Sequence, residues 1–255
     1  MIKRKTEREI ELMRRAGKIA AAARLLAGNM VTVGATTRSI NKAVHDFIIS
    51  QGAVPAFLGY NKFPASICVS VNEQVIHGLP SSRRLVAGDI VSIDIGAIKD
   101  GYIGDCAATF IAGDASAQTK RLIEVTRECF FEGLKCARAG LRVSDISRAI
   151  QYNAESNGFS LVREYVGHGV GTKVHEPPEV PNFIEIPRKK ADPRLLPGMT
   201  LAIEPMVNAG GAEIKILEDG WTVVTADGRN SAHYENTILI TEGEPEILTV
   251  FEGVL

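Results

Sequence analysis

The chain has 255 residues, 45% of them hydrophobic and 23% charged, with a net charge of −1, which is room for one large or two small globular domains. The near-neutral balance excludes a scaffold that holds nucleic acid by bulk charge, and no apolar run reaches the ~20 residues of a membrane-spanning helix. The start, MIKRKTEREIE, lacks the apolar core of a secretory signal, and Cys68, Cys106, Cys129 and Cys136 form no CxxC pair, so they read as packing residues of a reducing compartment.

Thr6-Glu7-Arg8-Glu9 is a capping box that opens a helix running to Gly28, with Ile10, Met13, Ile19, Ala20, Ala23 and Ala27 facing inward. Lys3, Arg4, Lys5, Arg8, Arg14, Arg15 and Lys18 crowd its start, interleaved with Glu7, Glu9 and Glu11, and read as a solvated face. A second helix spans about 36–51, with Ile40, Val44, Phe47 and Ile48 inward and Gly52 as its stop. A strand follows at 66–71.

The stretch from Gly88 to Asp105 reads as a β-hairpin. Val91, Ile93 and Ile95 alternate with Ser92, Asp94 and Gly96, the period of a strand buried on one face. Asp100-Gly101 is the dipeptide of a two-residue type I′ turn, whose central residues both need positive φ. That turn pairs Lys99 with Tyr102 and Gly96 with Asp105, which puts Asp94 and Asp105 on one face, diagonal and within ~8 Å by Cα. Like charges held so close need a cation or a shared proton.

The pattern then recurs. Ser116 caps a helix to about Ala139, and Ser144 caps another that Gly158 stops. Thr6 and Ser116, Thr37-Arg38-Ser39-Ile40 and Ser147-Arg148-Ala149-Ile150, and the strands after Gly88 and Gly198 all match at one offset of 110 residues. The repeat implies a duplicated helix–helix–sheet unit, with halves of about 1–110 and 111–255 in a single domain, and sets Glu204 where Asp94 stands in the first half. The Pro-rich stretch from Pro177 to Pro197 reads as a long surface connection. Residues 221–225 and 230–240 flank Asp227-Gly228 as a second hairpin, with His233, Glu235 and Thr237 on one face.

Asp94, Asp105, His168, Glu204 and Glu235 form the candidate metal set, and four carboxylates with one imidazole suit Mn, Fe, Co or Zn. Two ions fit better than one, which four carboxylates would over-neutralise. His168 lies in Gly167-His168-Gly169-Val170-Gly171, whose glycines permit close backbone approach. A lone strand aspartate is more often a surface or turn partner; five such residues together point to an open catalytic site.

In these motifs the sequence resembles the methionine aminopeptidases, of the pita-bread metallopeptidase fold. The matching pieces are SIDIGAIKDGYIGD, YVGHGVG, HEPPEVPNF, LPGMTLAIEPM, SAHYENTILI and VNEQVIHGLP, and the resemblance extends over essentially the whole chain. The 36-residue step from His168 to Glu204 leaves no room for the helical insertion of the type II enzymes, and with no N-terminal extension the chain resembles the short bacterial type I. The resemblance implies an α+β fold with a pseudo-two-fold, and removal of the initiator methionine when the second residue is small. It implies two divalent ions (Co, Mn, Fe or Zn): Asp94 holds one, Asp105 and Glu235 bridge both, and His168 and Glu204 complete the other. An activated water then attacks the scissile carbonyl, with Glu204 as proton shuttle, while His175 meets the scissile amide and His77 the departing product. Tyr60, Phe63, Cys68, Trp221 and Phe57 are the implied methionine-pocket residues. The family often carries Cys at the position of Phe57, Tyr at Phe63 and Phe at Val174. A cytoplasmic monomer acting on nascent N-termini at the ribosome is expected, with no specific nucleic acid and no membrane.

Prolidase, aminopeptidase P and creatinase share such a core, but with a large N-terminal domain, whereas this chain starts only 93 residues before Asp94. A binding module that has lost catalysis need not keep five ligands.

Overall fold

The computed structural model describes residues 2–184 and 191–251. In chain order the first half holds α1 (Glu7–Asn29), α2 (Thr37–Ser50), β1 (Val54–Pro55), β2 (Cys68–Val71), β3 (Gln74–Ile76), β4 (Ile90–Lys99) and β5 (Tyr102–Ile111). The second holds α3 (Ala117–Lys135), α4 (Val143–Ser156), β6 (Ser160–Leu161), β7 (Gly167–Gly169), β8 (Glu176–Val180) and β9 (Thr200–Ile203). After these come β10 (Met206–Asn208), β11 (Ile214–Ile216), β12 (Val223–Thr225), β13 (Ser231–His233), β14 (Glu235–Leu239) and β15 (Glu246–Ile247).

Local chemistry sets most of these ends. Thr6 accepts from Glu9 N and Glu9 returns a bond to Thr6 N at 2.8 Å, the reciprocal capping box. The β4–β5 turn has positive φ at both Asp100 and Gly101, and the register pairs Lys99 with Tyr102 and Gly96 with Asp105, as the turn chemistry requires. The fourth helix departs from expectation: its N-cap is Arg142, whose N–H donates to Asp145. Ser144 lies inside the first turn, where its N–H and hydroxyl both donate to Asp192.

One nine-stranded sheet runs β1-β4-β5-β14-β9-β7-β8, with β2 added on β4 and β15 on β14, and every pair is antiparallel. Its four central strands, β4-β5 and β14-β9, put the pseudo-two-fold between β5 and β14. The bridges Thr36–Arg84 and Arg142–Arg194 are its trace at the helix starts. They set α2 and α4 at an offset of 106, while positions 84 and 194 keep 110. The similarity of Thr37 to Ser147 is therefore displaced by four residues, about one helical turn, which preserves the buried face.

The helices cover one side of this sheet. Ala20, Ala23, Ile40, Val44 and Ile48 pack on Val91, Ile93 and Ile95; Leu122, Phe130, Ile146 and Ile150 do the same on Leu201, Ile203 and Ile238. A Cβ on Gly104 would run into the backbone of Gly17, so α1 lies directly against β5. Since strand side chains alternate, Ser92, Asp94 and Gly96 face the other side.

Two further expectations are corrected. Asp227-Gly228 does form a turn, with Gly228 at φ +74, but its flanks do not pair with each other. β12 joins β11 and β3, whereas β13 joins β10. The Asp227 carboxylate accepts from Arg229 N and Gly211 N, which ties the turn to the β10–β11 link. The Pro-rich stretch contains β8, paired with β7; residues 185–190 of it lie outside the described residues.

Candidate active site

The five sequence-selected ligands come from five chain segments. Asp94 sits on β4 and Asp105 on β5; Glu235 opens β14, opposite Ala107; Glu204 immediately follows β9; and His168 on β7 stands opposite Ala202. Ligand atoms of Asp105, His168 and Glu235 lie within 4.8 Å of one another, and His168 Nε2 is 3.2 Å from Glu204 Oε1. Asp94 joins them electrostatically, its charge raising the carboxyl pKa values of Asp105, Glu204 and Glu235.

These groups cost free energy where they are. Asp105 and Glu235 are each 2% exposed. Burial pushes Asp94 up to about 7, and burial with mutual repulsion pushes Asp105, Glu204 and Glu235 well above the ordinary carboxylate range. Asp94 Oδ1, Asp105 Oδ1 and Glu204 Oε1 are buried with no hydrogen-bond partner among the described residues. His168 Nδ1–H donates to the Gly169 carbonyl at 2.9 Å, which fixes the tautomer with a lone pair on Nε2. Burial drops its pKa to about 3, so it is neutral. Orphaned carboxylate oxygens around a neutral, oriented imidazole are a donor set for a hard or borderline divalent cation, and the residues fit one.

Beside them lies the aromatic cluster. Phe57, Phe63, Cys68 and Val174 are buried in one apolar cluster against which Tyr60 and Trp221 pack. Phe63 meets Trp221 edge-on at 5.1 Å. The Phe57 ring occupies the space a Cβ at Gly96 would need, on the site face opposite Asp105 and two residues along from Asp94. Cys68 stands opposite Asp94 in the ladder, and its thiol donates to that carboxyl. The ring of His175 lies 4.2 Å from that of His168, and its Nδ1 is 2.8 Å from Tyr60 Oη. His77 sits in left-handed backbone at φ +57 with its ring edge-on to Tyr165, and burial pushes its pKa down to about 4.

Comparison with known proteins decides the class. The model of metallopeptidase family M24 matches residues 11–242. The chain belongs to metallopeptidase family M24, in its methionine aminopeptidase branch. It is 52% identical to a methionine aminopeptidase of Clostridium perfringens over 99% of this chain and 100% of that one. The crystal structure of the Thermotoga maritima methionine aminopeptidase superposes with a TM-score of 0.94 at 44% identity, covering 98% of this chain and 99% of that chain. The prolidase of Pyrococcus furiosus is more distant, with a TM-score of 0.79 and 25% identity over 98% of this chain and 66% of its own. The sheet and helices described above are thus the pita-bread fold of these metallopeptidases, and the chain is a hydrolase of aminopeptidase type that uses divalent metal.

Three further residues around this M24 site were not among the candidate site residues, although alternation sets Thr237 and His233 on the face of Glu235. Asn182, fully buried, donates from Nδ2 to the Glu204 carbonyl at 3.0 Å; in the sequence it was one letter of HEPPEVPNF. Thr237 brackets Asp105 by accepting from its N–H and donating to its carbonyl. His233 Nε2 is buried without a hydrogen-bond partner among the described residues, 4.0 Å from Glu235 Oε2. No helix of the described residues is long and apolar enough to cross a membrane.

Proposed function

We propose that this chain removes the N-terminal, initiator methionine from nascent proteins and peptides whose second residue is small, with two divalent ions (Co, Mn, Fe or Zn) at its site. The observation that carries this reading is the convergence of Asp94, Asp105, His168, Glu204 and Glu235, with orphaned oxygens, beside the cluster of Phe57, Tyr60, Phe63, Cys68 and Trp221. Asp105 and Glu235 would bridge the ions, Asp94 would hold one, and His168 and Glu204 the other. When bound, the ions supply Lewis-acid polarisation of the scissile carbonyl and acidify water.

The chain's own residues do the rest. Glu204, whose pKa is raised by burial, accepts a proton at its carboxylate and returns it to the leaving amine. In the tautomer whose Nδ1 accepts from Tyr60 Oη, neutral His175 presents Nε2–H to the amide, where negative charge develops on oxygen. His77, held neutral by burial, meets the amide of the departing product. The aromatic cluster takes the unbranched thioether, each sulfur–ring contact contributing ~0.3–1.5 kcal/mol. Both halves supply ligands, so the chain acts as one catalytic domain, a cytoplasmic monomer that meets nascent N-termini transiently at the ribosome.

A panel of Met-X peptides compared by kcat/KM with metal loaded tests the reading. Gly, Ala, Ser, Thr, Pro, Val and Cys at the second position should pass, and Val174, smaller than the family's Phe, should favour Val and Thr. Equal rates for Met-Ala and Met-Lys peptides, or good cleavage of Leu-Ala, would make this a broad aminopeptidase instead.

A further inference from the structure

Lys5 is a charged residue where none is needed for solubility. Its side chain is 3% exposed, and Nζ lies 2.7 Å from Glu176 Oε2, 171 residues along the chain. Glu176 directly follows His175. Its other oxygen accepts from Thr172 N at 3.0 Å and Lys173 N at 3.3 Å, so one carboxylate spans the loop that leads to that histidine. Gly171 packs so tightly against Lys5 Cε and Glu176 Oε1 that a Cβ there would collide with both, and its carbonyl accepts from Ile103 N on β5. The backbone N–H of Lys5 donates to the Gly198 carbonyl at 2.6 Å, just before β9 and Glu204.

We propose that Lys5, through Glu176, is a positioning residue for His175: the N-terminal segment staples the 171–176 loop and so fixes where the imidazole sits relative to His168 and the reacting amide. Lys5 is buried and Glu176 half-buried, so a lone partner left behind is a poorly compensated charge and the loop moves to relieve it. Misplacing a reacting group by about 1 Å costs on the order of 10²-fold in rate. The loop reaches the methionine pocket only through Val174 and His175, while Phe63 and Trp221 come from other parts of the chain, so substrate affinity should change less than turnover.

The inference deepens the proposed function and rests on it for the role of His175. The experiment uses the full chain loaded with Mn or Co and compares Lys5→Met, Glu176→Gln and the double variant. Each single variant should lower kcat on a Met-Ala-Ser peptide about 10- to 100-fold, with KM and calorimetric metal affinity within about three-fold of the parent. The double variant should be no slower than the worse single, because the two act as one unit. Amide hydrogen exchange at Thr172 and Lys173 should accelerate at least about ten-fold in both singles, a readout independent of activity. Should Lys5→Met not fold, the isosteric Glu176→Gln carries the same test. Unchanged kcat and unchanged exchange would overturn the proposal, as would loss of metal in step with activity. A parent enzyme that cleaves no Met-peptide would overturn the proposed function alone, while the exchange data would still decide the staple.

Discussion

Arg24 of α1 donates from Nη1 to the backbone oxygen of Glu235 at 3.1 Å. The same atom donates to Asn236 Oδ1 at 2.9 Å, and the buried guanidinium lies 5.9 Å from the centroid of the Tyr234 ring. No carboxylate among the described residues pairs with it, so a desolvated cation is held by carbonyl oxygens and the Tyr234 ring at the seam between the two halves. Arg24→Met removes that desolvation cost but strips two buried acceptors of a charged donor, worth about 1.5–3 kcal/mol each. We expect a net loss of about 2 kcal/mol in urea unfolding of chelator-treated protein. A stabilised variant would show that desolvation outweighs the bonds.

The five ligands should fail unequally. Replacing Asp105 or Glu235 by Ala should abolish binding of both ions and nearly all activity, whereas Asp94→Ala should weaken mainly one site. Calorimetric titration with Mn or Co separates these outcomes. Full two-site binding by Asp105→Ala would remove the bridging role.

His175→Ala should keep its metal and lose turnover. Removing one donor to a developing oxyanion typically costs about 10²–10³ in rate. Metal titration beside steady-state kinetics is the check, and parallel loss of both would make His175 a ligand.

Stability without metal should carry the signature of Asp94. Its carboxyl is raised from 3.8 to about 7 by burial, so the native state binds that proton more tightly than the unfolded chain. The stabilisation is fully present below pH 3.8 and is lost as pH rises through about 7. The Tm of the parent relative to Asp94→Asn, in chelator, should therefore fall between pH 4 and 8. Histidines held neutral by burial, such as His77 at about 4, contribute with the opposite sign, but equally in both proteins. Added divalent ion should reverse the trend, because it binds the deprotonated carboxylates. A difference that grows with pH in chelator would contradict the burial of Asp94.

Wherever a feature is set by neighbours in the chain, the sequence alone determined it. The Asp100-Gly101 turn dictates the register that places Asp94 and Asp105 on one face, because positive φ at two adjacent residues leaves only one tight connection. Caps at Thr6, Thr36 and Ser116 follow from side chains that reach backbone N–H groups three residues on. Ser144 misled for the same reason in reverse: an equally good acceptor, Asp192, lies 48 residues away. Tertiary structure decided everything that depends on competition between distant partners. Asp227-Gly228 makes its turn, yet β12 finds β3 and β13 finds β10, since a strand pairs with whichever edge the fold brings up, not with its nearest neighbour in sequence. Lys5, Arg24 and Asn182 looked like a solvated face, a helix residue and a loop letter. Only the folded chain buries them against Glu176, Glu235 and Glu204, because the desolvation that gives a polar group its consequence exists only after packing.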